Sequence, residues 1–277
     1  MFEKIASALK VTGLDVETSE RHVLKDSLKA VDEFHVGGQL ATAHLVNQLR
    51  LEPGMKVLDI GSGLGGTGRF IGSGYPGVSV RGIDITREFV DVAEQLTQLV
   101  MDEGEHDISF REGSALAVDA GDATFHRVIM LHVGMNIEDK KALFKEVYRV
   151  LKPDGLFALY DMMHSGEKGK SELSFPLPWA STSTDSFVGT QEDYLAASTS
   201  AGFEASRVQV TDRSQFAKDF FKRVHKRLSA GPDVTLPPLS MVITFGDHAV
   251  AKMRNIIHVV NEDIATPKEM IFIKGST

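Results

Sequence analysis

The chain has 277 residues, of which 42% are hydrophobic and 25% charged, a composition typical of a protein that buries a packed core. Its net charge of −8 argues against a general nucleic-acid or anionic-membrane binder, because phosphate groups are held by clustered lysine and arginine. The absence of cysteine excludes disulfides, thiolate metal sites and a catalytic thiol.

Residues 1–50 are predicted to form a helical lid over the rest of the chain. They begin with Met1-Phe2-Glu3-Lys4, which lacks the apolar core of a signal peptide. No apolar run in the sequence approaches the roughly 20 residues that cross a bilayer. We therefore expect a cytoplasmic protein that does not bind membranes.

Residues 51–211 alternate short apolar runs with longer amphipathic stretches, a pattern typical of βαβ units and a mostly parallel sheet. Six runs in this part predict strands and a seventh lies near the end of the chain: 56–60, 78–84, 108–112, 127–131, 156–161, 205–211 and 270–274. Helices are predicted at 87–101, 139–151 and 191–201, the second ended by a turn at 153–155. The sequence therefore predicts a cofactor-binding core of doubly wound α/β type over 51–211.

Residues 212–268 are predicted to be a helical insertion that forms a wall of the substrate pocket, and 269–277 the final strand of the core. Residues 213–228 are basic, which indicates a solvated helix face, with an anionic partner as the alternative. Met241, Phe245 and Met253 are interpreted as core residues of this insertion.

The sharpest motif is a glycine-rich turn directly after the first predicted strand. Gly61, Gly63 and Gly66 fit the spacing of dinucleotide-binding loops, but Asp59 stands two positions before the first glycine, where the ligand binds. A carboxylate there would repel a pyrophosphate and suits a cationic ligand, such as the ammonium of a methionine moiety beside a sulfonium. The alternative is a buried aspartate that caps the turn.

A second acidic residue, Asp84, ends the second predicted strand. In doubly wound nucleotide-binding folds an acid in this region accepts hydrogen bonds from ribose hydroxyls, and its two oxygens suit a pair of hydroxyls. Its alternative role is to cap the following helix.

Together these residues resemble the class I S-adenosylmethionine-dependent methyltransferases. The string Asp-Ile-Gly-Ser-Gly-Leu-Gly-Gly at 59–66, and the segment 32–38 followed by Ala41-Thr42, are similar to the small-molecule branch that includes sarcosine/dimethylglycine and phosphoethanolamine N-methyltransferases. The resemblance implies a seven-stranded, mostly parallel, Rossmann-like sheet of order 3-2-1-4-5-7-6 with strand seven antiparallel. It also implies S-adenosylmethionine as cofactor and S-adenosylhomocysteine as product.

The resemblance implies a cofactor role for each matching position. The glycine turn would line the methionine part and Asp59 would lie near its ammonium, while Asp84 would hold the ribose and Ile85 would pack on the adenine. Ser114 stands where this family usually has an aspartate that binds the adenine amino group. The full cofactor set is Asp59, Gly61, Ser62, Gly63, Asp84, Ile85, Ser114, Ala115 and Leu131, with Val36 and Gly37 as part of the lid.

Acceptor-side candidates follow the fourth and fifth strands. By resemblance Asp161 aligns with a substrate-site aspartate and could serve as a general base, with a turn cap as the alternative. His132 is a second candidate base because its unperturbed pKa is near 6.5. Asn136 falls near the position of a catalytic histidine in the phosphoethanolamine enzymes, but an amide does not accept a proton usefully. The predicted substrate contacts are His35, Tyr160, Trp179 and Asn136.

These observations predict a methyltransferase for a small-molecule acceptor, with N-methylation of an amine such as sarcosine or dimethylglycine as the first hypothesis. O- or C-methylation of a natural product or quinone is the alternative. More distant alternatives are an NAD(P)-dependent oxidoreductase and a non-catalytic cofactor-binding module. We expect neither a metal site nor a nucleic-acid partner. A homodimer is a further expectation.

Overall fold

The computed structural model describes residues 1–102, 104, 106–228, 238–240 and 242–276. Its strands are β1 (Lys56–Ile60), β2 (Ser79–Asp84), β3 (Asp107–Glu112), β4 (Phe125–Leu131), β5 (Leu151–His164), β6 (Gln209–Asp212) and β7 (Ala265–Ile273). Its helices are α1 (Phe2–Val11), α2 (Arg21–Leu28), α3 (Gln39–Gln48), α4 (Gly66–Gly74), α5 (Arg87–Val100), α6 (Lys140–Val150), α7 (Glu167–Glu172), α8 (Gln191–Ala201), α9 (Ser214–Leu228), α10 (Val242–Phe245) and α11 (Ala249–Asn261). Among these helices, none has the length and apolarity that a bilayer crossing requires.

The strands form one seven-stranded sheet of order β3-β2-β1-β4-β5-β7-β6. The first five strands are mutually parallel, and β7 runs antiparallel between β5 and β6. The predicted doubly wound fold and its strand order are therefore confirmed. Because β1 leads to β2 on one side while β4 lies on its other side, the chain reverses its winding at β1, and ligands of such sheets bind at that point.

The end of the sheet differs from the predicted strands. Strand β5 begins at Leu151, directly after α6, and includes residues 153–155, which the sequence predicted as a turn. Backbone hydrogen bonds join Asp154 N–H to Lys274 O and Lys274 N–H to Gly155 O, so the pairing with the end of the chain holds this turn in the strand. Strand β7 likewise begins at Ala265, four residues before the predicted boundary at 269, because it pairs with β5 as far as His164.

The sixth predicted strand is shorter than expected. Residues Ala205–Arg207 form a 3₁₀ turn, and only Gln209–Asp212 pairs with β7. All four residues of β6 are exposed, as befits an edge strand with one neighbour. The predicted insertion, which begins at residue 212, thus overlaps the last residue of β6. Its residues 229–237 and 241, including Met241, lie outside the described residues.

Helices cover both faces of the sheet and leave its carboxyl edge open. Helices α6 and α8 pack on one face through Phe144, Val147 and Tyr194, while α3 and α4 pack on the other through Leu45 and Ile71. Helices α1 and α2 pack against α5, and α9 packs with α11 beyond the carboxyl ends of the central strands. The strand ends that carry the predicted motifs therefore face a space between the core, the lid and the insertion.

Candidate active site

A cavity of about 710 Å³ opens at the carboxyl ends of β1, β2 and β4. Its floor is the glycine turn after β1, its sides are the segments that follow β2, β3 and β4, and its roof comes from residues 32–36 and from α9, α10 and α11. The volume lies within the range of small-ligand sites. The elements that the sequence identified by motif and by resemblance thus meet at one site.

The glycine turn lies close to the neighbouring strands. Backbone N–H groups of Gly61 and Ser62 donate to the carbonyl of Ile83 at 2.8 and 3.0 Å. Gly61 has φ of +71°, and a Cβ at this position would stand 2.2 Å from Cγ2 of Val133. Only glycine satisfies both conditions. The chain can therefore turn from β1 into α4 while its main chain borders the cavity.

Asp59 places an unpaired carboxylate oxygen at this turn. The residue is only 2% exposed, and its Oδ2 has no hydrogen-bond partner among the described residues. Burial, and then the charge of Asp84, raises the pKa of Asp59 to about 7. A buried acceptor without a donor is unfavourable, so the site is complementary to a ligand that brings a donor with positive charge.

Glu33 is a second buried carboxyl group in the same wall, and the sequence analysis did not identify it. It is 8% exposed and lines the cavity with Asp32, Asp59 and Asp84. Burial raises its pKa to about 8, against the opposing effect of a hydrogen bond from Thr42. Four acidic residues thus line this end, and Asp32 is paired with Arg69. The acidic pair at 32–33, at the start of the recognised segment 32–38, was the available signal.

Asp84 binds the backbone of two segments that border the cavity and also lines it. Its Oδ1 accepts from the N–H of Thr86 and its Oδ2 accepts from the N–H of Gly63, both at 2.9 Å. The carboxylate therefore fixes the next helix and the glycine turn, and it also lines the cavity. Because each carboxylate oxygen has a second lone pair, Asp84 can still accept from two hydroxyl groups of a ligand.

The part of the cavity next to Asp84 and after β3 suits a flat apolar group. Ile85 is 77% exposed and lines it together with Ser114 and Ala115. Ser114 Oγ accepts from the N–H of Leu116 at 3.1 Å, so its hydroxyl proton is free to contact a ligand acceptor. Ser62 and Leu131 also line the cavity. Of the predicted cofactor residues, only Gly37 is absent from its lining.

Gly37 contacts α9 and, contrary to the prediction, does not line the cavity. It has φ of +94°, and a Cβ there would lie 2.3 Å from the Phe216 ring. The lid main chain therefore packs directly onto α9 at this point. Val36, the preceding residue, does line the cavity.

Two histidines form the wall between the cofactor end and the insertion. His132 follows β4 with φ of +54°, and its ring lies 4.9 Å from that of Tyr160 and 5.9 Å from that of His35. Burial lowers the pKa of His35 to about 4 and holds the pKa of His132 well below its ordinary value. Both rings are therefore neutral in the ligand-free protein at neutral pH.

The structure corrects the predicted role of Asp161. This carboxylate is fully buried and is not part of the cavity lining. Its Oδ2 accepts from the Tyr194 hydroxyl at 2.7 Å, beneath α8. Since β5 continues three residues beyond it, Asp161 lies within the strand and not at its open end. It joins β5 to α8 and is not placed to contact an acceptor.

Tyr160 holds the lid segment against the core and is not the expected substrate contact. Its ring is fully buried, and its hydroxyl donates to the carbonyl of Val36 at 3.0 Å. This bond fixes the lid to the core beside the two histidines. Of the remaining predictions, His35, Asn136 and Trp179 do line the cavity. The indole N–H of Trp179 donates to Ser186 Oγ at 3.0 Å, so its ring presents an apolar surface.

The insertion contributes residues that sequence reasoning placed in the core or did not mention. Phe245 and Met253, interpreted as core, line the cavity. Other lining residues from α9 and α11 are Phe220, Phe221, Lys252 and Ile256. A helical apolar face looks the same in sequence whether it borders a core or a ligand, so no pattern distinguished these positions.

Comparison with known proteins gives a match over the central part of the chain. Residues 57–155 match the family of methyltransferase domains. The chain is 28% identical over 131 residues to a sterol 24-C-methyltransferase of Gibberella zeae, an alignment that covers 47% of this chain and 33% of that protein. The chain thus spans about a third of the length of this relative.

Solved structures agree on the fold. Phosphoethanolamine N-methyltransferase 2 of Haemonchus contortus, in complex with S-adenosyl-L-methionine, has a TM-score of 0.72 at 18% identity, over 91% of this chain and 56% of that one. Geranyl diphosphate C-methyltransferase of Streptomyces coelicolor has a TM-score of 0.65 at 14% identity, over 86% and 77% of the two chains. The resemblance that the motifs indicated is confirmed at the level of domain and fold.

Proposed function

We propose that this chain, which carries a methyltransferase domain on a Rossmann-like methyltransferase fold, is an S-adenosylmethionine-dependent methyltransferase of a small molecule. The observation that carries the proposal is the buried Oδ2 of Asp59 at the glycine turn, which has no partner among the described residues, in a cavity wall that it shares with Asp32, Glu33 and Asp84. A cationic ligand satisfies that oxygen and the local charge, whereas a pyrophosphate would face four carboxyl groups.

The lining residues fit the parts of this cofactor in order. Asp59 would accept from the ammonium, and Gly61, Ser62 and Gly63 would border the methionine chain. Asp84 would accept from the ribose hydroxyls. Ile85, Ser114 and Ala115 would hold the adenine, and Val36 and Leu131 would border the centre; all of these residues line the cavity. When bound, S-adenosylmethionine supplies a methyl group on a sulfonium, which is a good leaving group.

The protein's own contribution is to align the acceptor, exclude water and receive a proton. The lid and the insertion close the cavity over the strand ends. His35 and His132 stand at the wall between cofactor and acceptor, and their neutral rings do not repel a cationic sulfur. Asp161 has no part in this step because it lies outside the cavity.

The acceptor side of the cavity is mainly apolar, and we infer an acceptor with a sizeable apolar body. The apolar residues that line it are Met135, Pro178, Trp179, Phe187, Phe220, Phe221, Met253 and Ile256, and the cavity lining also includes Asn136, Glu138, Asp139 and Lys252. Apolar surface of this extent favours burial of an apolar ligand. The similarity to sterol and geranyl diphosphate C-methyltransferases agrees with this inference, which corresponds to O- or C-methylation of a natural product.

N-methylation of a small amine, such as sarcosine or dimethylglycine, is the second candidate. The similarity to a phosphoethanolamine N-methyltransferase over 91% of the chain favours it. The neutral histidines also allow a cationic amine to approach. Against it, a small polar amine would leave much of the aromatic wall without contact.

A methyl-transfer screen tests both candidates. The full chain is incubated with S-adenosylmethionine and three acceptor sets, and S-adenosylhomocysteine formation is measured. The sets are phenols and quinols with apolar substituents, isoprenoid and sterol alcohols, and the small amines sarcosine, dimethylglycine and phosphoethanolamine. We expect turnover in the first two sets. Turnover with the small amines alone would support the second candidate, and cofactor binding without turnover of any acceptor would favour a binding module.

A further inference from the structure

A buried chain of three polar side chains lies behind the cavity wall, formed by Glu33, Thr42 and His35. The Thr42 hydroxyl is 2.8 Å from Oε2 of Glu33 and 3.0 Å from Nε2 of His35. The three residues are at most 8% exposed, and Thr42 is not exposed at all. Glu33 and His35 line the cavity, whereas Thr42 lies behind them.

The partners of His35 fix which ring nitrogen carries the proton. Nε2 lies 3.2 Å from the carbonyl of Gly38, 3.0 Å from Thr42 Oγ1 and 3.4 Å from Oε2 of Glu33. The carbonyl can only accept, and the Thr42 hydroxyl donates to Glu33. Nε2 must therefore be the donor, and in a neutral ring Nδ1 then carries the lone pair.

The lone pair on Nδ1 has no partner in the described part of the chain, and we infer that it faces the cavity. Nδ1 makes no hydrogen bond to the described residues and is not among the buried unpartnered atoms, and His35 lines the cavity. His132 differs, because its Nε2 is buried without a partner. A proton on that nitrogen would have nothing to hold it, whereas a protonated His35 would face the carboxyl group of Glu33.

We propose that His35 is the proton acceptor of the reaction, through Nδ1, and that Thr42 and Glu33 are positioning residues that fix its tautomer and stabilise its charged form. This inference rests on the proposed methyl transfer. It assigns a base role to a residue that the sequence suggested only as a substrate contact, and it moves that role away from His132 and Asp161.

The step balances as a displacement at carbon. The acceptor's nucleophilic atom forms a bond to the methyl carbon, the carbon–sulfur bond breaks, and its electron pair stays on sulfur. The proton of the acceptor's O–H, N–H or C–H group moves to Nδ1 of His35. The sulfonium charge disappears as the imidazolium charge forms, so the net charge inside the cavity does not change.

Several charged and titratable groups surround His35. Glu33 and Asp32 lie in the same segment, Asp59 is near the end of β1, His132 follows β4 and Tyr160 lies on β5. Burial lowers the pKa of His35, and the hydrogen bond to the carbonyl of Gly38 opposes that effect. Burial raises the pKa of Glu33 to about 8, so its carboxylate stabilises a charged His35 ring chiefly above that pH. Loss of the Glu33 charge should therefore make His35 a weaker base in that range.

A spectroscopic experiment tests the tautomer without turnover. The full chain with nitrogen-labelled histidine is saturated with S-adenosylhomocysteine, and the His35 ring is followed by NMR from pH 5 to 9, with assignment from His35→Gln. We expect a proton on Nε2 and a bare Nδ1 in the neutral ring. A proton on Nδ1 would overturn the proposal.

Kinetics with an acceptor found in the screen test the chemical role. His35→Gln should lower kcat by roughly 100-fold or more, the scale of a general base, with little change in S-adenosylhomocysteine affinity. Thr42→Val should lower kcat by about tenfold or more because it removes one of the two oxygen partners that hold the Nε2 proton and orient the ring, while Thr42→Ser keeps the hydroxyl and most of the rate. Because Glu33 is ionised mainly above its pKa of about 8, Glu33→Gln should lower kcat most in that alkaline range, and an unchanged pH profile of kcat would remove Glu33 from its role. Exposed His22→Gln is the matched control.

The outcomes separate this inference from the proposed function. Failure to bind S-adenosylhomocysteine would refute the methyltransferase proposal itself. Binding with the Nδ1-protonated tautomer, or a kcat of His35→Gln equal to that of the His22→Gln control, would refute only the role of His35. Equal losses in Thr42→Ser and Thr42→Val would show that volume and not the hydroxyl matters, which would also contradict it.

Discussion

At the scale of single residues, Asp59 sets function against stability. Its pKa is about 7 in the folded protein, above the ordinary value of 3.8, because of burial and the charge of Asp84. A carboxyl group whose pKa is raised on folding stabilises the folded protein at low pH. That contribution is lost as the pH rises through the pKa of the folded state. At pH 8 the ionised side chain is a buried charge without a partner, so it destabilises the protein until a cation binds.

Asp59→Asn should therefore raise the free energy of unfolding by about 1–3 kcal/mol at pH 8 and weaken S-adenosylmethionine binding. The gain in stability should shrink towards pH 4, where the native carboxyl group is protonated. Chemical denaturation at both pH values measures this difference. Asp119→Asn, at a side chain that is 99% exposed, is the control. A destabilised Asp59→Asn protein would contradict the assignment of a strained carboxylate.

Residue chemistry could be predicted where the strand ends were placed correctly. Asp59 and Asp84 were identified because β1 and β2 end where their apolar runs end. Asp161 and Tyr160 were misplaced because β5 runs on to His164, which moves both from the open end into the packed strand. The apolar run gave no signal for that extension, since it depends on pairing with residues 265–268, about a hundred positions away.

At the scale of elements, two effects restrict which residues can occupy the glycine turn between β1 and α4. A positive φ disfavours any side chain, and at Gly61 the Val133 side chain also occupies the space of a Cβ. Gly54 shares the positive φ, of +85°, but has nothing within 4 Å of a Cβ. Substitutions at Gly54 and Gly61 can therefore be compared to separate the cost of backbone strain from that of steric overlap.

Gly54→Ala should cost about 1–2 kcal/mol from backbone strain alone, measured by thermal or chemical unfolding. Gly61→Ala should cost roughly 1–3 kcal/mol more because Val133 must move. It should also weaken S-adenosylhomocysteine binding, which Gly54→Ala should leave unchanged. Equal costs for the two variants would show that Val133 yields freely and that the turn is not tightly restricted.

At the scale of the whole molecule, the lid, the sheet and the insertion meet around one buried carboxylate. Glu269 on β7 is 1% exposed and contacts His44 and Gln48 of α3 as well as Arg213, next to α9. The cavity roof is therefore fixed to the final strand. The sequence predicted that the first 50 residues and the insertion border the site, but these contacts join positions more than 50 and 220 residues apart, which no local pattern encodes.

The central claim is that the bend after β1 accepts a cation and a sugar diol, and calorimetric titration of the full chain measures this directly. We expect S-adenosylhomocysteine to bind, NADH to bind much more weakly or not at all, and Asp84→Ala to weaken S-adenosylhomocysteine binding by roughly 1–3 kcal/mol through lost charge-assisted hydrogen bonds. Preferential binding of NADH, or an Asp84→Ala protein with unchanged S-adenosylhomocysteine affinity, would contradict the claim.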